Sequence, residues 1–144
     1  MRTTIRRGLV AAALVPLLTG LAACGDDDKD DDDGGTGASA CGTLPTANPA
    51  ATLPTGFPTL TDQVLFEPST QGSTKIVFAL LDEGDFVEVR DELVDKLKEA
   101  KYKIEGTDQE SVEAEAEFSG PHRGTIKVEP KCTGYVTIRY KFNN

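Results

Sequence analysis

The stretch that decides the fold is DFVEVRDELVDKLKEAK, residues 85–101. Asp85 is a favoured N-cap residue, and Glu88 stands three positions later as its capping-box partner. Acidic side chains crowd the first half of the stretch and lysines the second half, which suits the helix dipole. The pattern predicts one long amphipathic helix over residues 86–101. Its buried stripe consists of Phe86, Val89, Leu93, Leu97 and Ala100.

Two apolar, β-branched runs precede this helix, at residues 62–66 and 74–81. Turn-forming residues lie between Pro68 and Ser73, so we predict that the two runs form a β-hairpin. Residues 76–81, with the sequence IVFALL, are apolar at every position. Such a run is typical of an interior strand with both faces buried.

After the helix the apolar period changes to two, over residues 112–118, 125–129 and 136–142. This alternation predicts an antiparallel meander with one buried and one solvent-facing side. A turn at residues 120–124 would pair Phe118 with Ile126 and set Glu117 opposite Lys127. With the helix across the apolar side, the expected fold class is α+β: two layers, about five strands, in the order β-β-α-β-β-β.

The N-terminal region is typical of a bacterial lipoprotein signal peptide. Arg2, Arg6 and Arg7 precede an apolar run that ends in Leu-Ala-Ala before Cys24. We therefore expect residues 1–23 to be removed and Cys24 to carry lipid. That lipid would anchor the chain to the extracytoplasmic face of the cell membrane. An ordinary signal peptide is the alternative, and the arginine pair leaves the general and twin-arginine export routes both open.

The other two cysteines, Cys41 and Cys132, are an even pair in a compartment that permits disulfides, so we predict that they are bonded. For a loop of roughly 90 residues, the chain-entropy model gives about 4.7 kcal/mol of stabilisation. A metal pair is the alternative, but two thiols without histidine partners make a poor zinc site.

Residues 24–56 are predicted to be a disordered tether, and residues 57–144 the folded domain. Seven aspartates and one lysine fill residues 26–33, and four prolines follow between residues 45 and 58. The aspartate run cannot bury apolar surface, and its like charges extend the chain. A calcium site is the alternative, but the required spacing, turn glycine and terminal glutamate are missing.

The charge of the chain excludes nucleic acid as a partner. The net charge is −9, and removal of three arginines with the signal peptide makes it −12. Phosphate backbones repel such a surface.

No motif in the sequence indicates catalysis, a cofactor or a metal, so we predict that the protein is not an enzyme. The single histidine, His122, stands in a predicted hairpin tip beside Arg123, without an adjacent nucleophile or orienting carboxylate. Because tips project, His122 and Arg123 are predicted to belong to a contact surface. Glu113, Glu115 and Glu117 alternate along one strand and are expected to form a solvated ridge.

Several short motifs carry a family resemblance: Phe57-Pro58, residues 100–102, Phe118-Ser119-Gly120 and residues 124–128. With them the chain resembles small secreted lipoproteins of uncharacterised function from actinobacteria. The order of strands and helix is more distantly similar to the helix-on-sheet domains of a lipoprotein component of the barrel-assembly machine. The resemblance implies a fold and a location and brings no catalytic residues. The chain departs from the pattern at Lys101, where a glycine usually ends the helix.

Two functions are compatible with these features. The first is a membrane-anchored, non-catalytic interaction module that docks an envelope protein or a wall polymer. Its contact would be the solvent-facing side of the sheet or the tip around His122. The second is a carrier for a small ligand or lipid, with a cavity between helix and sheet lined by Phe78, Leu93, Leu97 and Phe118.

Overall fold

A computed structural model describes residues 40–82 and 84–143 of the chain. The elements follow in the order β1 (Val64–Gln71), β2 (Thr74–Asp82), α1 (Phe86–Glu99), β3 (Lys103–Gln109), β4 (Ala114–Ser119), β5 (Arg123–Cys132) and β6 (Tyr135–Asn143). The predicted α+β class is confirmed: one helix packs on an antiparallel sheet. The predictions for the signal peptide, for lipid on Cys24 and for the aspartate run lie outside the described residues.

The sheet has six strands in the order β1-β2-β6-β5-β4-β3. Strand β6 returns to pair with β2, so β2 has neighbours on both sides, as its apolar sequence predicts. The edges are β1 and β3. Among the helices of the described segments, none is long and apolar enough to cross a membrane.

The sixth strand, β3, was not predicted, because its sequence lacks the alternation on which strand prediction depends. Every residue of β3 except Ile104 is exposed, since the strand lies at the edge of the sheet. Strand β1 also differs from the prediction, because it continues through Pro68 to Gln71. A register irregularity between Phe66 and Ser69 accommodates the proline, which an edge strand tolerates.

The predicted register of the β4–β5 hairpin is wrong by two residues. Phe118 lies opposite Gly124 instead of Ile126, and Glu117 lies opposite Thr125 instead of Lys127. Gly124 belongs to β5 and not to the turn. A Cβ built on Gly124 would clash with the backbone carbonyl of Lys141 on β6 and would lie 3.0 Å from Phe118 Cζ. The loop is therefore shorter than the predicted five residues.

Helix α1 begins and ends at well-formed caps. The Asp85 carboxylate accepts hydrogen bonds from the N–H groups of Val87 (2.8 Å) and Glu88 (3.3 Å). At the other end Lys101 adopts a φ of 67°. The Lys101 N–H donates to the Lys98 carbonyl and the Tyr102 N–H to the Leu97 carbonyl, which is the Schellman pattern. Lys101 thus takes the left-handed conformation that glycine usually supplies.

The helix covers one side of the sheet, which we call the covered face. Its side chains come from alternate positions of the strands, and its centre is almost completely buried: Val77, Ala79, Ala116, Phe118, Ile126, Val128, Ile138, Tyr140 and Phe142. Helix α1 lies over β3, β4 and β5 and contributes Val89, Leu93 and Leu97 to the core. Burial of these apolar side chains stabilises the domain.

The segment before β1, residues 40–63, completes this core. We call it the arm. Phe57 enters the covered face and contacts four aromatic rings, with centroids 4.9 Å from Phe142, 5.4 Å from Phe118, 5.6 Å from Tyr102 and 5.8 Å from Tyr140. Leu60 is also buried, and further back Ala51 is 5% exposed. The arm therefore supplies core residues that the helix alone does not.

One charged side chain is buried in the described part of the chain, that of Arg90 on α1. Its Nη1 donates to the carbonyl oxygens of Asp108 (3.0 Å) and Glu115 (3.2 Å), and its Nε donates to the Asp91 carboxylate at 2.6 Å. Arg90 therefore links the helix to strands β3 and β4.

Candidate functional site

The other side of the sheet, which we call the open face, carries the residues that alternate with those of the covered face. Within the described residues no helix packs on it, and the arm lies along its β1 border. Its β1–β2 half is apolar and its β4–β5 half is charged: Phe66, Ile76, Phe78, Glu115, Glu117, Thr125, Lys127, Glu129, Thr137, Arg139 and Lys141. It corresponds to the solvent-facing side predicted from the alternation.

Aromatic side chains dominate the apolar half of the open face. Phe66 and Phe78 lie opposite each other on β1 and β2 and stack, with ring centroids 5.9 Å apart. Both rings are half-buried. Across from them stands Val112, which is 59% exposed and is the one exposed large hydrophobic residue in the described segments.

A groove runs between these side chains. One part has a volume of about 580 Å³ and lies between the two phenylalanines and Val112, with Thr137 also lining it. The adjoining part, of about 770 Å³, has residues 43–49 of the arm as one wall. Phe66, Glu67 and Lys131 line both parts, so the two solvent-open parts are neighbours, and we refer to them together as the groove.

Glu67, on the rim of the groove, has an unusual backbone. Its φ is 47°, in the left-handed region that disfavours a side chain of this kind. It lies in the irregularity of β1 between Phe66 and Ser69. Backbone strain of this sort concentrates at functional sites, and here it marks the border of the groove.

Two polar atoms beneath the open face are not satisfied. In the described part of the chain, Thr137 Oγ1 and Arg139 Nε are the buried side-chain atoms without a hydrogen-bond partner. Thr137 lines the groove, and Arg139 is the next residue along β6 on the same face. Native proteins leave few buried polar atoms without a hydrogen bond, so two such atoms on neighbouring positions of one face are an unusual feature of this part of the sheet.

The charged half of the open face is largely neutralised by ion pairs. Lys127 forms ion pairs with Glu113 and Glu129, and the hydrogen bond from the lysine to Glu113 raises the pKa of Lys127. Arg139 Nη2 lies 3.6 Å from Glu115 Oε1. The described residues contain no cluster of three or more groups suited to a metal ion. Glu113, Glu115 and Glu129 are thus the ion-pair partners of these two cations.

The structure directs His122 and Arg123 to different sides of the sheet. The His122 ring lies against Phe142, a covered-face residue, at a centroid distance of 6.2 Å. Arg123 lies in the register of the open face and lines a smaller hollow of about 410 Å³ with Glu105 and Glu117. Hydrogen bonds from Lys103 and Ser119 lower the pKa of Glu105 beside this hollow. A joint contact surface of His122 and Arg123 stays a prediction.

The predicted disulfide between Cys41 and Cys132 is present. It joins the start of the described arm to the last residue of β5, and Thr43 and Lys131 beside it both line the groove. The bond was predicted from the sequence, and the groove was not. Two features of the sequence could have indicated the groove: the apolar Val112 in a charged region, and Glu67-Pro68 inside a β-branched run.

The cavity predicted between helix and sheet is not formed by its four residues. Leu93, Leu97 and Phe118 are at most 1% exposed and pack together in the core. Phe78 lies on the opposite side of the sheet, where it faces Phe66 and Arg139. The four side chains therefore do not share a binding space.

Comparison with known proteins leaves the family of this chain open. No protein family, curated protein or solved structure matches it. The resemblance to actinobacterial lipoproteins and to the barrel-assembly lipoprotein stays a prediction.

Proposed function

We propose that this protein is a lipoprotein anchored through Cys24 to the extracytoplasmic face of the cell membrane, where it acts as a non-catalytic interaction module. The groove of the open face docks a segment of another envelope protein. The observation that carries the proposal is the groove itself, bordered by Phe66, Phe78 and the exposed Val112 on a sheet whose other face is filled.

The shape and chemistry of the groove favour a protein partner. Small molecules usually bind in pockets that enclose most of their surface, whereas this groove is open along its length. Protein interfaces combine an apolar, aromatic centre with a polar rim. Phe66, Phe78 and Val112 supply such a centre, and Glu67, Glu129 and Lys131 such a rim.

A non-catalytic role is supported by how the titratable groups are arranged. Glu113 and Glu115 pair with Lys127 and Arg139. The His122 ring lies against the Phe142 ring. General acid–base chemistry requires a positioned group with access to a reacting proton, and these side chains have other partners.

The sequence supports the anchor and its reach. Cys24 follows a typical lipoprotein signal, and 16 residues separate it from Cys41. Flexible chains of this length span about 22 Å on average and, when extended, up to about 55 Å. The groove would thus stay within a short distance of the membrane, where envelope proteins are available.

Site-specific photocrosslinking in intact cells tests the docking role. A photoreactive residue replaces Val112 in one variant and Lys98, exposed on α1, in the control. We expect a discrete protein adduct from position 112 that Phe78→Asp abolishes and Lys98→Asp leaves unchanged. Adducts of equal yield from both positions, adducts only to wall polymer, or none from position 112 would contradict the proposal.

The anchor is tested separately. A Cys24→Ala variant should leave the membrane fraction, because the acyl chains that hold it there are lost. The matched control is Cys41→Ala, which removes a cysteine of the disulfide and should stay with the membrane. Membrane retention of the Cys24 variant would contradict the anchor and leave the crosslinking result standing.

A small-ligand carrier is the second candidate, favoured by the volume of the groove. Its two parts, of about 770 and 580 Å³, fall within the usual range of ligand sites. Native mass spectrometry of the protein extracted from membranes would show a bound mass that Phe78→Asp removes. Extracted protein with the mass of the acylated chain alone would exclude the carrier.

A further inference from the structure

Residues 41–50 of the arm form a strap across the β1 border of the open face. Most of its side chains are exposed. Residues 43–49 stand as one wall of the groove, and the Asn48 N–H donates to the carbonyl of Leu65 on edge strand β1 at 2.9 Å. The strap therefore closes the groove on one side and occupies part of the free edge of the sheet.

The strap is fastened at its two ends. Its first end is held by the disulfide between Cys41 and Cys132, the last residue of β5. At the second end the side chain of Ala51 is buried, just after a turn in which the Ala51 N–H donates to the Asn48 carbonyl at 2.9 Å. In the described segments, the bond from Asn48 to Leu65 is the strap's only backbone hydrogen bond to a strand. Of the strap residues that line the groove, Leu44 and Pro45 are half-buried and the others are exposed.

The core does not depend on the strap. The core residues contributed by the arm all follow residue 50, namely Ala51, Leu53, Phe57 and Leu60. Helix α1 is joined to the sheet by its apolar stripe and by Arg90, whose hydrogen bonds run to Asp91 and to the backbone of β3 and β4. Release of residues 41–50 would therefore leave the two layers packed.

We infer that the Cys41–Cys132 disulfide is the fastening of this strap, and that its reduction opens the groove and the outer edge of β1 while helix and sheet stay folded. The disulfide is then a redox-sensitive control on the groove. This inference concerns the strap and the groove, and it holds whether or not a partner protein docks there.

The chemistry requires an external dithiol. Its thiolate attacks Sγ of Cys41, which is half-buried, whereas Cys132 is only 8% exposed. The bond between the two sulfurs breaks, and Cys132 leaves as a thiolate that takes up a proton. The second thiol of the reagent resolves the mixed disulfide, so Cys41 becomes a thiol and the dithiol is oxidised by two electrons to its own disulfide.

Native-state hydrogen exchange tests this inference. The oxidised protein is compared with the Cys41→Ser/Cys132→Ser variant, and with wild-type protein reduced by dithiothreitol and alkylated, in case the variant folds poorly. We expect the amides of Asn48 and Ala51 to exchange on the order of 100-fold faster without the disulfide, because local openings need no global unfolding. Amides of α1, β5 and β6 should stay protected.

Comparing the strap amides with those of the sheet distinguishes a disulfide that holds only the strap from one that stabilises the whole domain. Removal of a disulfide also frees the unfolded chain and lowers the stability of the whole domain, so a lower melting temperature alone does not decide the question. If the strap amides exchange at the same rate as those of β5 and β6, the strap opens only when the domain unfolds, and the inference is wrong. It is also wrong if the strap amides keep their oxidised protection.

Discussion

The two faces of the sheet are built from the same strands and have opposite characters. On β6, Ile138 and Tyr140 are completely buried on the covered face, whereas Thr137 and Arg139, which alternate with them along the strand, belong to the open face. The alternation is equally regular on both sides. It determines which residues share a face, while the elements that pack on that face determine how it is used.

Polar atoms show the same difference. Under the helix and arm, the Tyr140 hydroxyl donates to Gln63 Oε1 at 2.8 Å, and Arg90 donates to two backbone carbonyls. On the open face, Thr137 Oγ1 and Arg139 Nε have no partner among the described residues. Among the described residues, the buried side-chain atoms without a partner thus lie on the open face. The open face is also the side on which we propose that another protein docks.

The largest expected difference between the faces is in the packing of phenylalanine. Phe57→Ala removes a ring that contacts four others in the core and should lower the free energy of unfolding by about 3–5 kcal/mol. Phe66→Ala on the open face, where the ring is half-buried, should cost clearly less. Urea denaturation measures both. Equal costs would mean that the open face is as important to the fold as the core.

The second difference concerns arginine. Arg90→Met would leave the carbonyls of Asp108 and Glu115 without their donor and should cost about 2–3 kcal/mol. Arg139→Met removes a guanidinium that is 3.6 Å from Glu115 and one-third exposed, so it should cost at most about 1 kcal/mol. Denaturation of the two variants gives the comparison. If Arg139→Met lowered the free energy of unfolding more than Arg90→Met, Arg139 rather than Arg90 would be the arginine that stabilises the fold.

The third difference is a pH dependence on the covered face. Burial raises the pKa of the Tyr140 phenol far above its ordinary value of 10.0. The folded state therefore keeps this proton after the unfolded state has lost it, and stability present below pH 10 is lost as the pH rises. The free energy of unfolding should fall by roughly 1.4 kcal/mol per pH unit from this group.

Tyr140→Phe is the control for that dependence. The variant loses the hydrogen bond to Gln63 but has no phenol to titrate, so its stability should decline less steeply between about pH 10 and 11.5. Burial also raises the pKa of Tyr102, so the stability of the Tyr140→Phe variant should still decline somewhat over this pH range. Identical slopes for wild type and variant, measured by urea denaturation at each pH, would be inconsistent with the buried phenol.

The smallest expected difference compares two residues with positive φ. Lys101 at the end of α1 and Glu67 beside the groove both adopt backbone that glycine accepts more readily. Lys101→Gly should raise the free energy of unfolding by about 0.5–1 kcal/mol, and Glu67→Gly by a similar amount. Only Glu67→Gly should reduce crosslinking from position 112. If both variants crosslink as wild type does, the Glu67 carboxylate has no part in docking.

Much of the covered face could be predicted from short stretches of sequence. The stripe from Phe86 to Ala100 and the alternation along β4, β5 and β6 each repeat within about a dozen residues, so helix and meander were predicted correctly. The register between β4 and β5 was predicted wrongly, because it depends on whether Gly124 belongs to the turn or lies in β5 beside the Phe118 ring. That choice involves backbone on β6 as well.

The open face could be predicted only in outline. Alternation indicated a solvent-facing side, but the groove requires the arm, β1, β2 and the residues around Pro130 to come together. Glu67 in a left-handed conformation follows from the irregularity at Pro68, which the sequence had suggested as part of a turn. Such features depend on pairing between distant segments.

The sequence by itself determined the order and type of most elements, the start of the helix and the partner of each paired cysteine, because these depend on local periodicity, N-capping and the number of cysteines. The tertiary structure decided that Phe57 from the arm completes the core, that Arg90 is buried and that β3 is a strand. It also decided that an open groove lies beside the disulfide. Each of these needs contacts between residues far apart in the chain, and the physical reason is that burial and register are properties of the packed layers and not of any single segment.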